Sequence, residues 1–202
     1  VPQRDDEPAV DIDVEEPDDI PFAIPDKWKW CKVEDCCCVN PKVTAEDDTE
    51  VSFVPMAQLQ AGYGSQIDTS CVKKWKEVKK GFTKFCNGDI VLAKITPCFQ
   101  NRKSAIVVNA YNNIGCGTTE FHVLRCKENI DCHYLLWGLK TSYFINYGVE
   151  YFRGTAGQQR LGTEDLKKCL IPLPPLAEQR RIVEKLNELL PSVEAMEKLY
   201  QQ

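Results

Sequence analysis

Apolar residues in this chain come in short runs separated by glycine, proline, asparagine and aspartate, the punctuation of short strands joined by loops. Five such runs are Trp28–Val33, Val51–Val54, Ile90–Ile95, Ser104–Val108 and Thr119–Arg125. Two helices are predicted between them, a lysine-rich one over about 69–80 and a longer one from about Asp131 to Tyr147. In the second, Leu135, Leu139 and Tyr143 recur at i, i+4 beside Leu136, a core-packing stripe, and Asp131 is placed to cap the first turn. Strand and helix patterns never settle into regular alternation. The fold predicted is a mixed, irregular α/β domain of short strands, short helices and long loops.

The tail changes character. Cys169–Leu173 reads as one more short strand, and Pro172-Leu173-Pro174-Pro175 ends it. Pro175 suits the first turn of a following helix, in which Ile182, Leu186, Leu189, Val193, Met196 and Tyr200 are spaced 4, 3, 4, 3, 4. That is a coiled-coil seam, flanked by Val183 and Leu190. It covers under three heptads, too little to stand alone in water, so it needs a partner helix or must dock on its own domain. Pro191 interrupts it at a cost of about 3 kcal/mol, which predicts a kink or two stacked helices.

The head is different again. Residues 1–26 carry ten acids, one base and five prolines and lack any apolar period, so they read as a linker or a disordered lead-in. Order is expected from Phe22–Trp30 onwards. The chain is thus divided into an acidic linker (1–21), one domain (22–174) and a C-terminal helix (175–202).

The same acidic head hides the charge of the body. The net charge is -5, yet removing residues 1–26 leaves 24 bases against 20 acids. Between Cys71 and Lys103 nine bases face only Glu77 and Asp89. Lys73, Lys74, Lys76, Lys79 and Lys80 form a solvated face, a phosphate-contacting surface or a protein-docking face. No apolar run reaches the roughly 18–20 residues that span a bilayer. An acidic, proline-rich N-terminus is neither a signal nor a transit peptide, so a cytoplasmic location is expected. The eleven cysteines are odd in number and include Cys36-Cys37-Cys38. Cys31, Cys36, Cys126 and Cys132-His133 offer metal-ligand chemistry, but no CxxC pair occurs, so free, core-filling thiols and no metal are expected.

Three segments carry a family resemblance. The first runs from Gly88-Asp89-Ile90-Val91-Leu92-Ala93-Lys94-Ile95-Thr96-Pro97-Cys98-Phe99 to Ala105-Ile106-Val107; the second is Gly117-Thr118-Thr119-Glu120-Phe121-His122-Val123-Leu124-Arg125. The third runs from Gly154-Thr155-Ala156-Gly157-Gln158-Gln159-Arg160 to Pro172-Leu173-Pro174-Pro175-Leu176-Ala177-Glu178-Gln179-Arg180-Arg181-Ile182-Val183. Together they resemble the type I restriction-modification specificity subunit, and the Pro-Leu-Pro-Pro-Leu-Ala-Glu-Gln junction is the most specific part. Ile20-Pro21-Phe22-Ala23-Ile24-Pro25-Asp26-Lys27-Trp28-Lys29-Trp30 is similar to that family's lead into a recognition domain. The resemblance implies a target-recognition domain that reads a DNA half-site and a conserved helix that sets spacing, while separate subunits methylate or cleave. It implies as partners double-stranded DNA, a methyltransferase subunit and, through the complex, a restriction subunit. Members carry two recognition domains and two helices; with one of each, this chain is expected to be a fragment or a half-subunit that dimerises. The second helix would then lie in cis or in trans.

No catalysis, cofactor or membrane contact is expected. There is no GxGxxG or P-loop, and Asn40-Pro41-Lys42 lacks the Asn-Pro-Pro-Tyr-like motif of an adenine methyltransferase. His122 and His133 have no evident nucleophile partner and read as structural. Base reading needs forked or amide side chains. Lys94, Thr96, Gln100, Asn101, Arg102 and Lys103 supply them in one loop, and Arg153, Thr155, Gln158, Gln159 and Arg160 in another, where Gly154 and Gly157 permit close approach. Tyr63, between Gly62 and Gly64, marks a third. The competing reading is a dimerisation scaffold whose helix seam is the main function and whose DNA contact is incidental.

Overall fold

In the computed structural model the described residues are 10, 12, 14, 17, 19–64 and 66–200, the last eight for their backbone only. In chain order the elements are β1 (Lys29–Lys32), α1 (Val33–Cys36), β2 (Cys37–Val39), β3 (Glu50–Val54), β4 (Val72–Lys74), α2 (Trp75–Val78), β5 (Thr83–Cys86) and β6 (Ile90–Ala93). There follow β7 (Ser104–Ile106), β8 (Ile114–Gly117), β9 (Phe121–Cys126), α3 (Cys132–Lys140), α4 (Ser142–Glu150), α5 (Thr163–Lys168), β10 (Leu170–Leu173) and α6 (Leu176–Tyr200).

The strands form two four-stranded sheets, ordered β2-β9-β6-β7 and β4-β3-β8-β5, and a ribbon of β1 with β10. The first sheet is antiparallel throughout; in the second, β3 and β8 run parallel. All four residues of β6 are buried because the strand separates two cores. Ile90 and Leu92 point into the larger core with Leu135, Leu139 and Phe144, whereas Val91 and Ala93 point into a second with Val54, Phe85 and Phe121. Period-2 side-chain alternation thus places one sheet between the helices and the other sheet. On the far side of the second sheet, Val51 and Cys116 pack with Trp75 and Val78 of α2.

The mixed α/β reading holds, with local corrections. The lysine-rich helix expected over about 69–80 is instead β4 followed by the single turn α2. Lys74, Lys73 and Val72 pair with Glu50, Val51 and Ser52, so backbone bonding to β3 overrides the helical spacing of Val72, Trp75 and Val78. The long helix expected from Asp131 to Tyr147 is two. Asp131 caps α3 by accepting from the amides of His133 and Tyr134. At Thr141 (ψ 152°) the backbone turns extended, and its hydroxyl caps α4 through the Phe144 amide. α6 stays helical across Pro191, so two stacked helices are not seen.

Val10 is buried against the larger core, and Ile12 and Val14 pack on it. The linker expected over residues 1–21 otherwise lies largely outside the described residues. All eleven cysteines are free, five of them buried, and no metal-holding group of three or more His, Cys, Asp or Glu occurs among the described residues. No helix among the described residues is long and apolar enough to cross a membrane.

Candidate nucleic-acid interface

The loop from Lys94 to Lys103 joins β6 to β7 and is anchored by Phe99, which is fully buried against Phe144 and Phe152. α4 admits the ring only because residue 148 is glycine: a Cβ there would sit 2.2 Å from Phe99 Cζ. At its start this loop is bonded to the second candidate segment. The Thr96 amide donates to the Gln159 carbonyl at 3.0 Å and the Leu161 amide to the Lys94 carbonyl at 3.0 Å. Residues 153–160 form a small hairpin, closed by reciprocal backbone bonds between Arg153 and Arg160 at 2.9 and 3.1 Å. Gly154 (φ 116°) and Gly157 (φ 77°) shape its tip in backbone conformations that other residues rarely adopt.

At its end the same loop meets the third. The Gly62 amide donates to the Asn101 carbonyl at 3.0 Å, and the Arg102 guanidinium lies 5.0 Å from the centre of the Tyr63 ring. Tyr63 stacks on Trp137 of α3 at 6.1 Å. Below them the buried Lys140 ammonium donates to the carbonyls of Gly62, Arg102 and Ser104 at 2.8–3.0 Å. Burial and the neighbouring Arg102 guanidinium push Lys140 down to about 7, against the carbonyls, which favour its charge. All three sequence-predicted loops therefore belong to one hydrogen-bonded ridge.

Their side chains fall into two groups. Gln100, Asn101, Arg153, Thr155 and Gln158 are exposed. Others are committed inside the protein: Lys103 donates to the Met56 carbonyl at 3.2 Å, Arg102 to the Lys140 carbonyl at 2.9 Å, and the Thr96 hydroxyl is buried. Lys94 and Gln159 are half-buried. Arg160 is both held and presented. Its Nε and Nη2 donate to the two Glu120 oxygens at 2.8 Å each and its Nη1 to the Gln158 carbonyl at 2.7 Å, with 40% of the side chain exposed. Of the five N–H donors of arginine this leaves one on each terminal nitrogen. The guanidinium in turn holds the Glu120 carboxyl below its usual range.

Sequence reasoning missed Glu120, Lys140 and Trp137 as parts of this site. It also missed what Glu178 and Gln179 do. Gln179 is buried; its Oε1 accepts from the Asp131 amide at 2.8 Å, and its Nε2 donates to the Pro174 and Asn129 carbonyls at 2.9 and 3.2 Å. Glu178 accepts from the Trp28 indole at 3.1 Å. The Leu-Ala-Glu-Gln motif is thus the joint that fixes the root of α6.

Along the seam, Ile182 and Leu186 line an apolar groove of about 460 Å³ with Trp137 and Tyr143, and Leu189 is 50% exposed. Val183 is buried in the domain. Val193, Met196 and Tyr200 have side chains outside the described residues. The lysine face is largely self-neutralised: Lys74 and Lys76 bind Asp48, Lys79 binds Asp47, and Lys73 lies over the Phe53 ring. His122 is structural: its Nε2 donates to the Leu161 carbonyl at 2.9 Å, its Nδ1 accepts from the Asn40 amide at 3.4 Å, and burial pushes it down to about 4.

Comparison with known proteins gives the class: the family profile described as "Type I restriction modification DNA specificity domain" matches residues 25–202, and the chain belongs to that family. It is 41% identical over 179 residues to the type I restriction enzyme EcoAI specificity subunit of Escherichia coli, covering 88% of this chain and 30% of that protein. To the EcoEI specificity subunit of Escherichia coli it is 39% identical over 175 residues, covering 86% and 29%. The chain spans about a third of the length of these curated relatives. The crystal structure of the HsdS subunit from Thermoanaerobacter tengcongensis shares its fold, with a TM-score of 0.70 at 24% identity over 89% of this chain and 46% of that one.

Proposed function

We propose that this chain is a non-catalytic recognition module of a type I restriction-modification complex, reading one half-site in double-stranded DNA. The observation that carries this reading is the ridge. Three polar loops rich in forked and amide side chains are hydrogen-bonded side by side on a base of sheet and helix. Arg160 is its principal base-reading group, with Gln100, Asn101, Arg153, Thr155 and Gln158 around it; forked and amide side chains are what major-groove discrimination requires. A methyltransferase subunit, and a restriction subunit through it, do the chemistry.

The seam of Ile182, Leu186, Leu189, Val193, Met196 and Tyr200 pairs α6 with a second helix, in cis or in trans, and sets the distance to the other half-site. The exposure of Leu189 and the apolar groove at Ile182 and Leu186 support that role. The deciding experiment is sequencing of methylated adenines in cells that co-express the chain with its neighbouring methyltransferase subunit. A new motif is expected, symmetric if two copies of this chain assemble. Co-purification of the two proteins without any motif would overturn the reading.

A further inference from the structure

We propose that the lysine-lined cleft beside Lys94 is a phosphate-binding site that takes the sugar-phosphate backbone of the duplex next to the half-site; this rests on the DNA-reading function above. The cleft measures about 510 Å³, and its lining includes Asn40, Lys42, Trp75, Lys79, Lys84 and Lys94. No aspartate or glutamate lines it. Lys79 is engaged by Asp47. Lys42 and Lys94 have no side-chain hydrogen bond or ion pair among the described residues, and Lys84 gives a single bond, to the Phe82 carbonyl at 2.6 Å. Three lysines therefore line one concavity whose wall holds no carboxylate, with the Glu120 carboxylate acting on Lys94 from beside it, an arrangement that an anion completes.

The exposed lysines 74, 76 and 79 look more basic in sequence, but Asp47 and Asp48 already occupy them. The phosphate-contacting role moves from that face to the cleft. Its anion is nucleic-acid backbone because the cleft continues the reading ridge through Lys94. The Lys94 carbonyl accepts from the Leu161 amide at 3.0 Å and its amide donates to the Glu120 carbonyl at 2.9 Å, directly beside the residue that holds Arg160. A duplex seated on Arg160 thus brings flanking phosphates to Lys94, Lys84 and Lys42. Such contacts add affinity without sequence preference, by counterion release.

The test is the salt dependence of binding to a random duplex of about 30 base pairs, and then to the same duplex carrying the methylated motif. Lys42→Ala/Lys84→Ala is expected to lower the slope of log K against log salt by about 2. Its affinity should fall by the same factor on both duplexes. Lys42→Arg/Lys84→Arg should keep the slope, and Lys74→Ala/Lys76→Ala should change it less than the cleft pair does. Thermal melting checks that each variant is folded. An unchanged slope, or a loss confined to the motif-bearing duplex, overturns the cleft while leaving half-site reading intact. Loss of methyltransferase co-purification at unchanged slope overturns it in favour of an acidic protein partner. Failure of the unaltered chain to bind any duplex overturns the DNA-reading function itself.

Discussion

Lys140 and Arg102 hold each other by reciprocal bonds. The Lys140 ammonium donates to the Arg102 carbonyl at 3.0 Å, and Arg102 Nε donates to the Lys140 carbonyl at 2.9 Å. Arg102 has a left-handed backbone (φ 56°), so its carbonyl is turned inward to where the ammonium can reach it. The pair fastens α3 to two of the ridge loops. Lys140→Met keeps the aliphatic stem but leaves buried carbonyls unsatisfied, at about 1–3 kcal/mol for such a group. The expected result is a loss of about 3 kcal/mol in urea unfolding. Fast amide exchange at Gly62, Arg102 and Ser104 should accompany it. Unchanged exchange at those amides would show that the loops do not depend on the clamp.

Arg160 and Glu120 test the ridge as a reader. A forked contact to a base is worth about 1–3 kcal/mol of discrimination, so Arg160→Ala should weaken motif binding roughly 10- to 100-fold and random-duplex binding far less. Glu120→Gln keeps the shape and removes the charge that orients the guanidinium; it should relax the preference at one base position. Binding assays on single-base variants of the motif read both effects. An equal loss on motif and random DNA would reduce Arg160 to a phosphate contact.

Much of this was legible from side-chain period. β6 and β9 are found because their apolar residues persist on both faces, which burial between two cores demands. β8 is not legible. Its Ile-Gly-Cys-Gly offers little strand propensity, and Gly115 is required because Phe85 lies where a Cβ would be, at 2.0 Å. The residues Val10, Ile12 and Val14 alternate with acids in a strand-like period that the surrounding prolines and carboxylates obscure. The three polar loops could be chosen from side-chain chemistry, whereas Glu120 and Lys140 could not. Each acts through a partner about 40 residues away, a separation that no local pattern encodes.

Gln179 joins the domain to α6, and its amide satisfies three backbone groups at once. Gln179→Ala strands them in a buried site and should cost about 2–3 kcal/mol. Limited proteolysis should then cut near Pro174–Leu176 faster than in the unaltered protein. If the cleavage rate and the urea midpoint both stay fixed, the joint is held by packing alone.

Ile182 and Leu189 separate the two roles of the seam. Ile182 packs against the domain core, so Ile182→Glu should destabilise the domain itself. Leu189 is 50% exposed, and Leu189→Glu should leave monomer stability within about 0.5 kcal/mol while abolishing pairing with a second helix. Sedimentation of the chain, or of its complex with the methyltransferase subunit, reads the difference. Retained pairing would confine α6 to docking on its own domain.

The buried imidazole of His122 gives the fold an acid limit. Burial pushes it from 6.5 to about 4, and it stays neutral between the Leu161 carbonyl and the Asn40 amide. In the unfolded chain the same group protonates near 6.5, so between those values the unfolded state binds more protons and stability falls as pH falls. The loss should start below about pH 6.5 and reach about 2–3 kcal/mol by pH 4.5. His122→Gln retains a donor and an acceptor but cannot titrate. Carboxylates remote from His122 contribute equally to both proteins, so the difference between their urea stabilities isolates the imidazole together with its coupling to Glu120. The unaltered protein should lose its advantage over the variant between pH 7 and 4.5. Parallel stability curves across that range would place the proton on His122 in the folded state at its ordinary pH.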